Sequence, residues 1–283
     1  MSEQLVKANE VELCVETFGD PADPPVLLIH GLSASMDYWE TPFCERLAAG
    51  PRYVIRYDHR DTGRSVHYPA GEPQYTGRDL VLDAVGILDA LGIEKAHIVG
   101  LSAGGGIAQQ LVLDFPDVVR TVTLIATSPL GDDLPPPAER IQASFTAEGP
   151  PTDWSDPEAA LTALIADERL YAGTLPYDEP ARRELLRHVI ERTNDLAAAT
   201  TNPWILAGDD DSPMRPRLGE IAVPALILHG TEDPLFPPAH GETLAREIRD
   251  ARLILLEGAG HELPEPVWDV AIPAILEHTA PPR

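Results

Sequence analysis

The sequence predicts an α/β fold: a mostly parallel central sheet with helices on both faces and a helical cap inserted between two strands. Three observations lead there. Six short apolar runs, at 26–29, 53–57, 96–99, 121–126, 225–228 and 252–256, each end in glycine or polar residues. Runs without in-and-out alternation are the pattern of parallel strands covered on both faces. Segments with helical spacing lie between them, an alternation that calls for right-handed crossovers. From about residue 131 to 219 the apolar runs stop, leaving only helix and loop patterns.

The elements follow in order. Val11, Leu13 and Val15 alternate with Glu12 and Glu16, the mark of a half-exposed, antiparallel strand. A turn-rich break over 19–25 separates it from the first continuous run. The stretch 76–91 sets Leu80, Val81, Ala84, Val85, Leu88 and Leu91 at helical spacing. A second helix, 102–115, carries Ile107, Leu111 and Phe115 and stops at Pro116. Inside the insertion, Leu134-Pro135-Pro136-Pro137 and Gly149-Pro150-Pro151 are loop chemistry, while 156–170 and 179–191 read as helices. The expected division is a core of residues 1–130 and 220–283 and a cap of residues 131–219.

Composition bounds the function. The chain has 283 residues and is 43% hydrophobic, enough for a sizeable core. Its formal net charge of −25 argues against nucleic acid and anionic membrane surfaces as partners. Cys14 and Cys44 are too few for a disulfide framework and read as small buried hydrophobes. The start of the chain lacks an apolar signal region, and no run reaches the ~18 apolar residues of a membrane span. These features predict a cytoplasmic protein acting on a small molecule; either a monomer or a homodimer is expected, with no feature of the sequence choosing between them.

The chemistry is concentrated in Val99-Gly100-Leu101-Ser102-Ala103-Gly104-Gly105-Gly106. Ser102 follows a buried strand and opens a helix, with Gly100 and Gly104 in a G-x-S-x-G pattern. That is a nucleophile elbow, a sharp strand-to-helix turn whose crowded backbone demands small flanks. Gly105 and Gly106 are open to two readings, close helix–sheet packing or space beside a pocket. A serine hydroxyl is a weak nucleophile and needs a base held by an acid, in the chain order Ser, Asp or Glu, His. Asp233, in the loop after the 225–228 run, fits the acid, with its neighbour Glu232 as the alternative. His261, after Glu257-Gly258-Ala259-Gly260, fits the base. Of the nine histidines, His97 reads as a satisfied core or surface residue, and His188, His240 and His278 as solvated. An oxyanion hole requires two backbone N–H groups, expected from Ala103 and Leu32, with His30 bracing the second loop. Trp39 and the cap residues Trp154, Tyr171, Tyr177, Trp204 and Met214 are candidates for an apolar substrate pocket.

Five stretches in this order, Leu28-Ile29-His30-Gly31, Tyr57-Asp58-His59-Arg60-Asp61-Thr62-Gly63-Arg64-Ser65, Gly100-Leu101-Ser102-Ala103-Gly104, His229-Gly230-Thr231-Glu232-Asp233 and Gly260-His261, resemble the α/β-hydrolase superfamily over nearly the whole chain. The resemblance implies a Ser102–His261–Asp233 triad, an oxyanion hole from Leu32 and Ala103, and no metal or organic cofactor. Arg60-Asp61-Thr62-Gly63-Arg64-Ser65 and the opening stretch look like the subgroup containing the anthracycline methylesterases, many relatives having Gly in place of Asp61. His30-Gly31-Leu32 departs from that subgroup's more glycine-rich pattern. The charges of the 58–65 loop are expected to pair with each other, with substrate binding by Arg60 or Arg64 as the alternative. The implied activity is cleavage of a carboxylic ester of a small to medium apolar substrate, a polyketide methyl ester included. The same triad also serves a perhydrolase of the cofactor-free haloperoxidase type, a lactonase or a carbon–carbon bond hydrolase. A non-catalytic ligand-binding protein of this fold is the alternative outside enzymes.

Overall fold

The computed structural model describes residues 3–147, 151–206 and 214–281. Gly149 and Pro150 of the expected proline loop lie outside them. The strands are β1 (Gln4–Ala8), β2 (Val11–Phe18), β3 (Pro25–Ile29), β4 (Tyr53–Tyr57), β5 (Ala96–Leu101), β6 (Val119–Ile125), β7 (Ala225–Gly230) and β8 (Arg252–Leu256). They form one sheet in the order β1-β2-β4-β3-β5-β6-β7-β8. β1 pairs antiparallel with β2, and β2 with β4, while the pairings from β4 through β8 are parallel.

The helices are α1 (Thr41–Ala48), α2 (Gly77–Ala90), α3 (Ala103–Asp114), α4 (Glu139–Phe145), α5 (Pro157–Tyr171), α6 (Glu179–Arg192), α7 (Leu196–Leu206), α8 (Ala239–Glu247) and α9 (Trp268–His278). Each buried strand feeds two cores, because alternate side chains leave opposite faces. Leu27, Ile29, Ile98 and Ile227 pack with Val81 and Leu88 of α2 and Leu111 of α3. Val26, Leu28, Val99 and Leu228 pack with Phe43 of α1 and Ile272 of α9. This two-sided burial is why the runs carry no alternation. β8 is the exception: it is an edge strand with Leu255 43% exposed, so its apolar run is only partly covered. β1 leaves no signal of its own, since its side chains are mostly exposed at the opposite edge.

Thr76 closes a reciprocal capping box with Asp79 at the start of α2, and the Asp156 and Asp178 carboxylates cap α5 and α6. Between β6 and β7, α5 and α6 pack through Leu161, Ile165 and Leu186, with Tyr38 of the early loop against them. Met214, expected at the pocket, is instead buried in the α2/α3 core.

The 58–65 loop ties the inserted helices to the sheet. Its charges do not pair with each other, as expected from the sequence, but with distant elements. Asp58 accepts from Arg192 of α6 at 2.7 Å, and Arg192 also meets Asp37 at 3.0 Å and Glu3 at 2.5 Å. Arg60 forks onto Asp83 of α2 at 2.7 Å. Asp61 lies at φ +67°, which explains why glycine suits this position, and its carboxylate bonds Tyr68 N–H and the Asn202 amide of α7. None of these charges reaches the cavity described below, so Arg60 and Arg64 do not line it.

Candidate active site

The sheet order reverses at β3: the chain proceeds first to β4 on one side and then to β5 on the other. Ligands in open α/β sheets bind beyond the strand ends at such a switch point. Ser102 sits there, between the end of β5 and the first residue of α3, at φ +54° and ψ −121°. A non-glycine residue in such a sparsely populated region costs about 1–3 kcal/mol and persists where the surroundings enforce it. Enforcement is visible in the glycines. A Cβ on Gly100 would strike the Gly104 carbonyl, and one on Gly104 the Ile29 carbonyl. Gly105 faces the Thr127 side chain, so it serves close packing, whereas a Cβ on Gly106 would meet nothing.

Three side chains from three loops converge. His261 Nε2 lies 2.7 Å from Ser102 Oγ, and His261 Nδ1 lies 2.9 Å from Asp233 Oδ2. The other oxygen of Asp233 accepts the N–H groups of Leu235 and Phe236, both at 2.9 Å, which fixes the carboxylate plane. Glu232 is exposed, whereas its neighbour Asp233 is buried and is the carboxylate that meets His261. His229 lies beneath, with Nε2 2.7 Å from the Phe236 carbonyl and 3.6 Å from Asp233.

Gly31 packs directly on the serine: a Cβ there would stand 3.1 Å from Ser102 Cβ. The Gly31 N–H donates to His30 Nδ1 at 2.7 Å. Burial, with His59 next in effect, pushes the His30 imidazole down to about 3, so it braces this loop as a neutral ring. Leu32 follows, at the cavity wall. Among the described residues, neither the Leu32 nor the Ala103 N–H is taken by a backbone turn contact.

A cavity of about 750 Å³ opens over Ser102 and His261. Of the six pocket candidates of the sequence, Trp39, Trp154, Tyr171, Tyr177 and Trp204 line it, together with Leu32, and Met214 does not. Trp39 is also fully buried against Phe43, whereas Trp204 is 46% exposed at the rim. The sequence missed a polar bridge across the cavity. Arg182 of α6 holds Glu168 of α5 at 2.5 Å and Glu40 at 2.7 Å, and Tyr177 donates to Glu168 at 2.8 Å. The Arg182–Glu40 contact spans 142 residues, a separation that no local motif encodes. Among the described residues, Glu40, Asp167, Glu168, Asp178, Glu262 and Glu265 line the cavity against one arginine, Arg182, giving it a negative bias. Burial raises Glu40 and Glu262 above the usual carboxylate range. Asp167 is exposed along the cavity wall, and the surrounding protein together with Glu168 pushes its carboxyl up to about 6.

Of the other histidines, His97 bonds Thr121 inside the sheet, as expected. His188 is exposed, while His278 bonds the Val122 carbonyl. His240 is buried rather than solvated, held by Ser128 and the Pro135 carbonyl, because α8 turns it inward under the inserted segment. Both cysteines are free and buried. Among the described residues, no cluster has the ligand set for a metal ion, and no helix is long and apolar enough to cross a membrane.

The chain is similar to known proteins in sequence and in fold. Residues 24–265 match the model of the alpha/beta hydrolase fold family. The chain is 35% identical to the rhodomycin D methylesterase DauP of Streptomyces sp. strain C5, over 99% of this chain and 98% of that protein. It is 34% identical to the rhodomycin D methylesterase DnrP of Streptomyces peucetius, with the same coverage. In structure it is similar to an esterase from Exiguobacterium antarcticum, with a TM-score of 0.80 at 21% identity over 98% of this chain and 99% of that one.

Proposed function

Because the chain belongs to the α/β-hydrolase family, we propose that it is a carboxylic ester hydrolase whose nucleophile is Ser102. The observation that carries the reading is the hydrogen-bonded line from Ser102 through His261 to Asp233. His261 Nε2 takes the Oγ proton as Oγ attacks the ester carbonyl carbon. Asp233 holds Nδ1–H, which fixes the tautomer and stabilises the imidazolium. The Leu32 and Ala103 N–H groups donate to the developing oxyanion, each such donor being worth about 3 kcal/mol. The carbon–oxygen bond to the alcohol then breaks and His261 returns the proton to that oxygen. Water repeats the sequence on the acyl-enzyme: His261 removes its proton, the hydroxyl adds to the carbonyl, and Ser102 leaves protonated.

Residues 131–219 act in this reading as a cap that shapes the substrate cavity. Its volume and its walls of Trp39, Trp154, Tyr177 and Trp204 suit a bulky polycyclic acid esterified with a small alcohol. The similarity to rhodomycin D methylesterases supports a methyl ester. The negative lining suits the reaction, because it repels the carboxylate product more than the neutral ester. All site residues come from one chain, so monomer and homodimer are equally competent. The free thiols suit a reducing cytoplasm.

The test is a panel of methyl esters, from acetate to fused aromatic acids, with methanol and carboxylate both quantified. The reading predicts kcat/KM at least about tenfold higher for the bulky acids, and no turnover after Ser102→Ala. A clear preference for small acetyl esters contradicts it.

A further inference from the structure

The loop that delivers His261 is held from two sides. On the core side, Thr231 Oγ1 accepts the Gly258 N–H at 2.9 Å, and Glu232 N–H donates to the Ala259 carbonyl at 3.0 Å. On the other side lies the end of α5 and the chain just after it. The His261 N–H donates to the Tyr171 carbonyl at 2.9 Å, and the Thr174 and Leu175 N–H groups donate to the Gly258 carbonyl at 2.9 and 3.3 Å. The Gly173 N–H reaches Glu262 at 3.4 Å. The two backbones leave no room for a side chain between them at these glycines. A Cβ on Gly173 would drive into the Gly258 carbonyl, and one on Gly260 into the Tyr171 carbonyl.

We propose that residues 171–175 form a strap that positions the catalytic base, with Gly173 as the positioning residue that lets the inserted helices grip the His261 loop. The proposal rests on the triad reading above. It means that the segment shaping the substrate cavity also sets the distance from His261 to Ser102. Tyr171 and Leu175 line the cavity, so the same few residues meet substrate and hold the base. A shift of α5 is therefore transmitted to the proton acceptor through three backbone hydrogen bonds rather than through side chains.

Gly173→Ala is the direct test, with Gly219→Ala, where a Cβ meets nothing, as the control. Relief of the Gly173 clash requires the two backbones to part by about 1 Å, and a misplacement of that size costs about a hundredfold in rate. Gly173→Ala is expected to lower kcat and the rate of fluorophosphonate labelling about a hundredfold, with KM within about threefold. Gly219→Ala should match the parent. A folded Gly173→Ala protein with parental kcat overturns the proposal. So does a loss confined to KM, which would place Gly173 in substrate binding alone. If the variant fails to fold, hydrogen exchange of the unmodified protein decides: the His261 and Thr174 amides must be protected to the same degree. Independent exchange of the two overturns the strap. Turnover retained by His261→Ala would instead refute the triad reading itself, whatever Gly173→Ala does.

Discussion

Asp233→Asn puts the proposed role of the acid to a quantitative test. The substitution keeps the shape but makes one of the two carboxyl oxygens a donor. One side of the group faces two N–H donors, Leu235 and Phe236, each at 2.9 Å; the other faces His261 Nδ1. The amide oxygen must serve the two N–H groups, so the amide NH2 faces His261. The imidazole then accepts at Nδ1 and carries its proton on Nε2, where it cannot take the Ser102 proton. The productive alternative turns the amide around and leaves two part-buried donors without an acceptor. Each costs about 1–3 kcal/mol, hence about 2–6 kcal/mol for the pair. With tenfold per 1.4 kcal/mol, the productive orientation falls to between about one part in thirty and one in twenty thousand. Loss of the charge facing the imidazolium adds to this, so kcat should drop about a thousandfold or more. Stopped-flow or steady-state ester hydrolysis at pH 7–8, with circular dichroism to confirm the fold, reads the effect. An Asn variant within tenfold of the parent refutes the tautomer argument.

Arg192→Met removes one partner from a buried ion cluster, leaving Asp58 and Asp37 without their cation. Such losses cost about 3–5 kcal/mol, read as a fall in thermal midpoint of about 10 °C; an unchanged midpoint would show that the cluster does not hold α6 to the core. Asp167→Asn addresses the raised carboxyl at the cavity. Its folded pKa of about 6 lies above the ordinary 3.8, so the folded state holds the extra proton in that window. Stability therefore falls as pH rises from about 4 to 6 and stays lowered above it. The Asn variant should melt higher than the parent at pH 8 and equally below pH 4. A higher melting point at pH 3, or none at pH 8, contradicts the burial argument.

The buried strands were legible because parallel strands with both faces covered need apolar side chains on both, as Val26, Leu27, Leu28 and Ile29 show. Ser102, Asp233 and His261 were legible for a related reason. Each lies past the end of a strand, in a loop marked by glycine or proline, although β8, which precedes His261, is only partly covered. β1 was not, because an edge strand with little burial needs no distinctive composition. Neither was the grip of the 58–65 loop on α6 and α7. Asp58 meets Arg192 across 134 residues and Asp61 meets Asn202 across 141, distances that only the folded topology closes. The same holds for the Arg182 bridge. His240 shows the converse error, since a polar residue beside glycine reads as exposed until α8 turns it toward Ser128.

Mass spectrometry of the intact protein after reaction with a fluorophosphonate ester tests the central claim most directly. The account predicts one adduct per chain, mapped to Ser102, formed in step with loss of ester hydrolysis and absent in Ser102→Ala. Full hydrolysis without an adduct at Ser102, or an adduct on another residue that abolishes activity, would contradict it.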